Sequence, residues 1–255
     1  MPSIEDVRSA WDEAGAVWAS SIHRDLFRAE LHDPPFFDRF LPDLGGKRVI
    51  DLGCGEGRTS RILAARGARV TGVDLAPRLI EAARAREAAE PQGIDYLEGS
   101  FADLSGLGNA SFEAAVSTMA FMDGPDFPAA ARAAARVLVK GGSLYFSVYH
   151  PCFWTQGARF IQDRGQRHVA RLVGRYWDGP FQETWRHNAS DTVMTLPRFP
   201  HRLEEYVNGL CEAGLRITRM MEPRASAEMA AVRPKFFGGF REVAPILLFV
   251  AATAD

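Results

Sequence analysis

The sequence has few cysteines and no apolar run long enough to cross a membrane. Its three cysteines, Cys54, Cys152 and Cys211, are odd in number and far apart, which argues against a disulfide framework and favours the reducing cytoplasm. The longest apolar run, 244–252, contains Pro245 and has the length of a strand, well short of the roughly 18 residues that a membrane helix needs. The N-terminus is polar and acidic, so no signal peptide is predicted.

The chain also lacks an excess of either charge. It has 30 Lys and Arg against 32 Asp and Glu, and the basic residues are scattered. A nucleic-acid binder concentrates positive charge on one surface, so DNA and RNA are not expected partners. With 47% hydrophobic and 24% charged residues, the 255 residues have the composition of an ordinary globular protein with one large core.

What the sequence does have is a regular alternation of short apolar strands and amphipathic helices. Strands are predicted at 48–53, 68–74, 94–99, 111–119, 143–150, 216–222 and 244–254, and helices at 57–67, 76–90, 126–142 and 201–214. This alternation predicts an α/β fold with a Rossmann-like, seven-stranded, mostly parallel sheet and helices on both faces.

We interpret the chain as one domain, residues 1–255, in three parts. Residues 1–40 are an N-terminal helical lid. Residues 41–150 and 201–255 form the core, and residues 151–200 are an insertion after the fifth strand. The lid is predicted to be one helix over 3–31, capped by Ser3. A structureless loop of 50 residues is uncommon, so we expect the insertion to contain a hairpin or a helix.

A glycine-rich turn follows the first strand, in the segment Val-Ile-Asp-Leu-Gly-Cys-Gly-Glu-Gly of 49–57. The G-x-G-x-G spacing differs from the G-x-G-x-x-G of nucleotide dehydrogenases. Glycine lets the backbone approach a ligand closely and turn sharply into a helix. The Gly-Lys-Ser/Thr ending of a phosphate-binding loop is absent, and Asp51 and Glu56 would repel a pyrophosphate. The turn therefore predicts a cationic ligand such as an aminoacyl sulfonium.

A second signal is Asp74, which ends the second strand. An acidic side chain there can accept both hydroxyls of a ribose, and no Arg follows directly to bind a ribose phosphate. After the third strand, the segment 98–103 is placed to contact an adenine edge. The glycines at 141 and 142 predict a tight turn before the fifth strand.

Together these residues resemble the class I S-adenosylmethionine-dependent methyltransferases, over roughly 40–150 and the last 55 residues. The resemblance implies that the first loop holds the methionine part of the cofactor, Asp74 the ribose, and Ser100 and Phe101 the adenine. It also implies an antiparallel last strand. One departure is Ala76, where a helix-capping Ser is common. The cofactor-binding residues implied are Trp18, Asp51, Gly53, Cys54, Gly55, Gly57, Asp74, Leu75, Ser100, Phe101, Ala102 and Met119.

Residues for the acceptor are less marked in the sequence. His150 ends the fifth strand, where parallel sheets place ligands, and is the candidate general base; alternatively it caps the strand before Pro151. No metal is expected, because His150 and Cys152, two apart on a strand, point to opposite faces. The aromatic residues among the candidates form either a lid over the acceptor or ordinary packing. The expected substrate-binding residues are His23, Phe121, His150, Phe153, Tyr176 and Trp185.

The predicted function is methyl transfer from S-adenosylmethionine to the oxygen, nitrogen or carbon of a small, aromatic or heterocyclic acceptor, leaving S-adenosylhomocysteine. Segments 146–153 and 201–214 are similar to those of the ubiquinone-biosynthesis branch of the family. Two alternatives stay open: a nicotinamide-dependent oxidoreductase, and a non-catalytic cofactor-binding subunit on the same fold. The expected partner is the small-molecule acceptor, with no membrane or nucleic acid, and a homodimer is left open.

Overall fold

The computed structural model describes residues 2–21, 25–163, 168–186 and 193–254. Its strands are β1 (Arg48–Leu52), β2 (Arg69–Asp74), β3 (Asp95–Glu98), β4 (Phe112–Thr118), β5 (Leu138–Tyr149), β6 (Arg159–Gln162), β7 (His168–Leu172), β8 (Phe181–Arg186), β9 (Val193–Arg198), β10 (Arg216–Met221) and β11 (Ile246–Ala252). Its α-helices are α1 (Ile4–Ser21), α2 (Arg58–Ala65), α3 (Pro77–Ala89), α4 (Phe127–Val137), α5 (Leu203–Glu212), α6 (Ala227–Val232) and α7 (Pro234–Phe237). In this described part, no helix combines the length and the apolar character needed to span a bilayer.

Seven strands form one sheet in the order β3-β2-β1-β4-β5-β11-β10. The pairs among β1 to β5 are parallel, and β11 is antiparallel to both of its neighbours. The predicted fold class, including the antiparallel last strand, is thus confirmed. The strand order reverses between β1 and β4, and in open α/β sheets ligands bind at such a switch point, beyond the carboxyl ends of the strands.

The central strands are buried on both faces because helices cover both sides of the sheet. Four of the five residues of β1 and six of the seven of β11 are buried. Phe146 of β5 and Phe249 of β11 stack at 4.8 Å, and Phe127 of α4 packs against Phe146 at 5.7 Å. This aromatic layer holds the carboxyl ends of the strands in fixed positions.

The start of the fifth strand differs from the prediction. Residues 138–142 were expected to close a helix and form a turn, but α4 ends at Val137 and β5 begins at Leu138. Leu138 pairs with Phe112 of β4, and Gly141 takes the left-handed φ of 73° within a bulge. Residues 139–142 have no partner in either strand pairing of β5, and the Thr253 hydroxyl donates to the carbonyl of Val139 at 3.0 Å. The strand therefore begins earlier than predicted but bends at the glycines.

The lid is not one helix over 3–31. Ser3 accepts the Asp6 N–H at 3.1 Å, as a cap should, but α1 ends at Ser21. A π-helical segment, Phe27–His32, follows, and Asp25 Oδ1 accepts the Phe27 N–H at 2.9 Å at its start. An acidic cap in the middle of a predicted helix begins a new segment there. A second π-helical segment, Pro34–Phe40, leads into the sheet.

The insertion contains two antiparallel hairpins, β6 with β7 and β8 with β9. In the first hairpin, the Arg171 guanidinium lies over the rings of Trp154 and Phe160, 4.6 Å from each centroid. In the second, Arg198 at the end of β9 is buried. The insertion therefore packs on the core rather than standing apart from it.

Helix α1 is joined to helix α3 by a cap that comes from another part of the chain. Ala76, at the N-cap of α3, has no side-chain oxygen to offer. Instead, Asp12 Oδ1 of α1 accepts the N–H of Arg78 at 2.8 Å. Gly15 lies so close to α3 that a Cβ there would be 3.4 Å from Leu79. The cap missing at Ala76 is thus supplied from the lid.

The cap makes a prediction about α1. Asp12→Ala should lower the free energy of unfolding by about 1 kcal/mol, because it leaves an N-terminal N–H of α3 without its acceptor. Glu13→Ala, at the next and exposed position, should change it by less than about 0.5 kcal/mol. Urea denaturation followed by circular dichroism measures both variants. Equal losses in the two variants would contradict the capping role.

Candidate active site

A cavity with about 760 Å³ of empty space, open solvent included, lies beyond the carboxyl ends of β1, β2 and β4. The glycine-rich turn, Asp74 and Met119 border it on the sheet side, and α1 covers it with Trp11 and Trp18. The two indole rings meet edge to face at 5.3 Å. The cavity thus lies where the strand order reverses.

The glycines of the turn have two different roles. Gly53, Gly55 and Gly57 all have left-handed φ angles, of 75°, 57° and 87°. Gly53 and Gly55 border the cavity. Gly57 does not: a Cβ there would lie 2.3 Å from the Tyr96 hydroxyl oxygen, so this glycine allows close packing against β3. A Cβ at Gly53 would lie 2.4 Å from that of Ala120.

Asp74 fixes the shape of the turn. Its Oδ2 accepts the Gly55 N–H at 2.8 Å, and its Oδ1 accepts the Ala76 N–H at 2.9 Å. A carboxylate has about four acceptor positions, so these two bonds leave capacity for two ligand hydroxyls. Burial raises the pKa of Asp74 to about 6. The side chain borders the cavity and fits the ribose role that the sequence predicts.

Two more acids lie by the turn. Asp51 is fully buried beneath it, where it accepts the Ser60 hydroxyl at 2.6 Å, and burial raises its pKa to about 7. Glu56 borders the cavity, and burial raises its pKa as well. A positive ligand would stabilise these carboxylates in their charged form. The charge of the site therefore fits a sulfonium.

Two buried polar atoms of the cavity wall have no hydrogen-bond partner among the residues that the structure describes. They are Oε1 of Glu56 and Nη1 of Arg58. Arg58 is held on its other side by an ion pair with Asp33, from the lid. Buried donors and acceptors without partners are costly, so such a pair suits a ligand that carries both an ammonium and a carboxylate group. The sequence analysis did not find Arg58, because nothing in its spacing sets it apart from other helix arginines.

The floor of the cavity is held by a chain of hydrogen bonds from the lid. Met119 has a left-handed φ of 56°, and its N–H donates to Ser147 Oγ at 3.1 Å. Ser147 in turn bonds Nε2 of His32 at 2.8 Å, and Nδ1 of His32 bonds Asp33 at 2.7 Å. Burial lowers the pKa of His32, against the raising effect of the bond to Asp33. No local pattern in the sequence marks this arrangement.

Most of the predicted cofactor residues border the cavity. These are Trp18, Gly53, Cys54, Gly55, Asp74, Leu75, Ser100, Phe101 and Met119. Asp51, Gly57 and Ala102 do not border it, although the Ala102 N–H donates to Ser100 Oγ at 3.1 Å. Thr118, at the end of the fourth strand where the resemblance placed the methionyl group, also borders the cavity, whereas Ile4, Arg28 and Asp123 of the wall were not predicted.

The predicted acceptor residues are dispersed. His150 is buried, accepts the Cys152 N–H on Nδ1 and bonds Glu222 through Nε2 at 2.7 Å. It borders none of the cavities described here, and Phe153 packs on its ring at 4.5 Å. The hydroxyl of Tyr176 accepts the Leu203 N–H at the start of α5.

The remaining acceptor residues also lie away from the cavity or cannot be placed. Phe121 is fully buried between Phe101 and Phe127 in the core. His23 and the side chain of Trp185 lie outside the described part of the chain. Among the described residues, no three His, Cys, Asp or Glu side chains lie close enough together to hold a metal ion.

Comparison with known proteins supports the fold and places part of the chain in a known domain family. Residues 50–146 match the family described as methyltransferase domain. Residues 50–146 therefore belong to a methyltransferase domain, and the sheet around them has the class I fold. The cofactor of this domain is S-adenosylmethionine, as the acids and the glycine turn around the cavity indicated.

Individual relatives agree. A ubiquinone biosynthesis O-methyltransferase of Xanthomonas oryzae is 38% identical over 133 residues, which are 52% of this chain and 54% of the relative. One of Xanthomonas campestris is 36% identical over 130 residues, 51% and 53% of the two chains. This chain therefore spans about half the length of the curated relatives that it matches. The crystal structure of an S-adenosylmethionine-dependent methyltransferase of Mesorhizobium loti is 26% identical, with a TM-score of 0.69 over 86% of this chain and 96% of the other.

The glycine turn makes a prediction that separates backbone strain from crowding. Gly53→Ala should destabilise the fold by about 2 kcal/mol more than Gly46→Ala, because it adds overpacking to the cost of a left-handed φ. Gly46 has a similar φ of 73°, but a Cβ there would meet nothing within 4 Å. Urea denaturation measures both variants, and equal losses would show that Ala120 yields without cost.

Asp51 makes a prediction about pH. The folded chain holds a proton on Asp51 up to about pH 7, whereas the unfolded chain loses it near the ordinary pKa of 3.8. The folded state therefore binds more protons between these values, and its stability falls as the pH rises. In the ligand-free chain, Asp51→Asn should gain roughly 2 kcal/mol over wild type between about pH 5.5 and 8.5.

The exposed Asp95 provides the control for this measurement. Unfolding free energies of the wild type, Asp51→Asn and Asp95→Asn are compared at each pH. The difference between Asp95→Asn and wild type should stay constant. A constant difference for Asp51→Asn as well would show that Asp51 is ionised throughout.

Proposed function

We propose that this chain transfers a methyl group from S-adenosylmethionine to a small-molecule acceptor. The observation that carries the proposal is the hydrogen bond from the Gly55 N–H to Asp74, which joins the glycine turn to the acid ending β2 at the cavity edge. The methyltransferase match over residues 50–146 supports the same activity. The O-methyltransferases among the relatives support oxygen as the methylated atom, although the match covers only half of their length.

Each part of the site has a proposed task. Asp74 accepts the ribose hydroxyls, and Phe101 and Ser100 lie against the adenine. Glu56 and Arg58 bind the ammonium and carboxylate groups of the methionine part, which gives partners to Glu56 Oε1 and Arg58 Nη1. Trp11 and Trp18, over the cavity, exclude water from the reacting groups.

The bound cofactor supplies a methyl group already activated by its positive sulfur. The protein's part is to hold the acceptor's lone pair in line with that methyl group and to keep water out. Met119, fixed by Ser147, sets the floor of the cavity. His150 is an unfavourable general base, because its bonds to Glu222 and Cys152 occupy both ring nitrogens.

Two other proposals have less support. A nicotinamide-dependent oxidoreductase would bring a pyrophosphate next to Asp51, Glu56 and Asp74, whose pKa values burial already raises. Tight NADH binding would favour it. A non-catalytic subunit would bind S-adenosylhomocysteine and show no transfer to any acceptor.

We further propose that residues 1–40 and 151–200 act as covers over the site, and that the protein works in the cytoplasm. The cover by residues 1–40 is supported by the lid residues in the cavity wall, and that by 151–200 by Arg198, which borders the two smaller cavities. The location is supported by the free thiols of all three cysteines. The homodimer stays a prediction.

The ribose role of Asp74 makes a quantitative prediction. Asp74→Ala should weaken S-adenosylmethionine binding by about 10- to 100-fold, because charged hydrogen bonds of about 1.5–3 kcal/mol are lost. Isothermal titration calorimetry measures the affinity, with Asp95→Asn as the matched control of unchanged affinity. Unchanged binding in Asp74→Ala would refute the role.

The activity itself is tested by incubating the chain with radiolabelled S-adenosylmethionine and a metabolite extract. The expected result is label in a small molecule, and identification of that product names the acceptor. Binding of the cofactor without transfer to any extract would favour the non-catalytic alternative, and no binding at millimolar cofactor would end the proposal.

A further inference from the structure

A second cavity, with about 380 Å³ of empty space that includes open solvent, is not used by the function described so far. We call it the inner chamber. It lies between the end of β5, the β8–β9 hairpin and α5, and its walls are largely aromatic, formed among others by Tyr149, Trp154, Phe181, Phe199 and Tyr206. Flat apolar walls of this kind suit an aromatic ligand.

A third space, which we call the passage, shares wall residues with both the inner chamber and the cofactor cavity. It has about 310 Å³ of empty space, open solvent included. It shares Trp18, Met119 and Asp123 with the cofactor cavity, and Tyr149 and Arg198 with the inner chamber. Met119 and Asp123 therefore border both the passage and the cofactor cavity, and Tyr149 and Arg198 border both the passage and the inner chamber.

Charged side chains are concentrated at the inner end of this passage. Arg198 is 5% exposed and forms ion pairs with Asp123 and, at 2.6 Å, with Glu183. Counted over these described side chains alone, two carboxylates and one guanidinium carry a net charge of −1. The neighbouring pair of Arg28 and Asp25, at 4.0 Å, adds no net charge.

This charge balance restricts what can bind. A further anion would have to enter a buried region that is already negative, which is unfavourable at low dielectric. A group with a proton to donate is favoured instead, because a carboxylate accepts hydrogen bonds and, where it is buried, a proton as well. Burial raises the pKa of Asp123 to about 6. The charge of Glu183 also raises this pKa, whereas the charges of Arg198 and Arg28 lower it.

We propose that the inner chamber is the acceptor subsite, that it takes an uncharged aromatic molecule with a proton on the oxygen or nitrogen to be methylated, and that this proton points to Asp123. The proposal rests on the proposed methyl transfer. As the bond from that oxygen or nitrogen to the methyl carbon forms, the methyl–sulfur bond breaks and its electron pair stays on sulfur. The proton passes to the Asp123 carboxylate and then to solvent.

Arg198 is a positioning residue in this arrangement. It reaches Asp123 from the end of β9, whereas Asp123 follows β4, so it couples the insertion to the core. His201 supports the same loop by bonding the carbonyl of Gly124 at 2.8 Å. The insertion thus contributes both the chamber wall and the side chain that orients the proton acceptor.

The test uses the full chain saturated with S-adenosylhomocysteine and three single-ring probes: phenol, toluene and benzoate. They differ in a donated proton and in charge but little in shape. Phenol should bind about tenfold more tightly than toluene, and benzoate should bind about tenfold more weakly than toluene. Ligand-observed NMR titration gives the three affinities, and crystals soaked in phenol give its position.

Two variants change the charge at the site. Asp123→Asn should bring benzoate to within about threefold of toluene and remove most of the advantage of phenol. Because that variant breaks a buried ion pair and can fail to fold, Glu183→Gln serves as the second. It should raise benzoate binding in the same direction while leaving phenol ahead of toluene. The control is Asp95→Asn, which should leave the order of the three probes unchanged.

The outcomes separate this proposal from the proposed function. Benzoate binding as tightly as phenol, equal binding of phenol and toluene, or phenol found outside the chamber would each overturn the acceptor subsite. If S-adenosylhomocysteine itself does not bind in calorimetry, the proposed function fails first. The expected order of probes, altered by both charge variants and not by the control, supports the subsite.

Discussion

The carboxylate of Asp74 accepts the N–H groups of Gly55 and Ala76, which belong to the loops leaving β1 and β2. This pair of bonds holds the glycine turn against the neighbouring strand, and so fixes where α2 and α3 begin. Helix α3 in turn receives its missing cap from Asp12, which brings α1 over the cavity. The site, its cover and the start of two helices therefore depend on one side chain at the end of β2.

Three carboxylates that lower the stability of the ligand-free fold lie in the same region. Burial raises the pKa values of Asp51, Glu56 and Asp74, so each costs stability when it ionises without a partner. A positively charged ligand offsets that cost when it binds. The unfavourable carboxylate charge of the ligand-free site thus favours the binding of a cation. Carboxylates also outnumber the guanidinium in the group around Arg198 at the inner chamber.

Much of the fold could be predicted from the sequence because it depends on local patterns. The periodicity of the strands and helices gave the parallel sheet, and the spacing of the glycines gave the turn and Asp74. What could not be predicted depends on contacts between distant segments. The cap by Asp12, the bond of His32 to Ser147 and the pair of Arg198 with Asp123 join residues 66, 115 and 75 positions apart, and no local signal marks them. His150 was predicted as a site residue because it follows β5. In the structure its imidazole ring bonds Glu222 and does not border the cavity.

The central claim is that the crevice between β1 and β2 is built for an adenosyl group with a charged methionyl tail. A crystal structure of the chain grown with S-adenosylmethionine tests it most directly. We expect the ribose hydroxyls to bond Asp74 and the adenine to lie beside Phe101. The amino-acid end should bind at Glu56 and Arg58. An empty cavity at saturating cofactor, or an adenosyl group bound elsewhere, would contradict it.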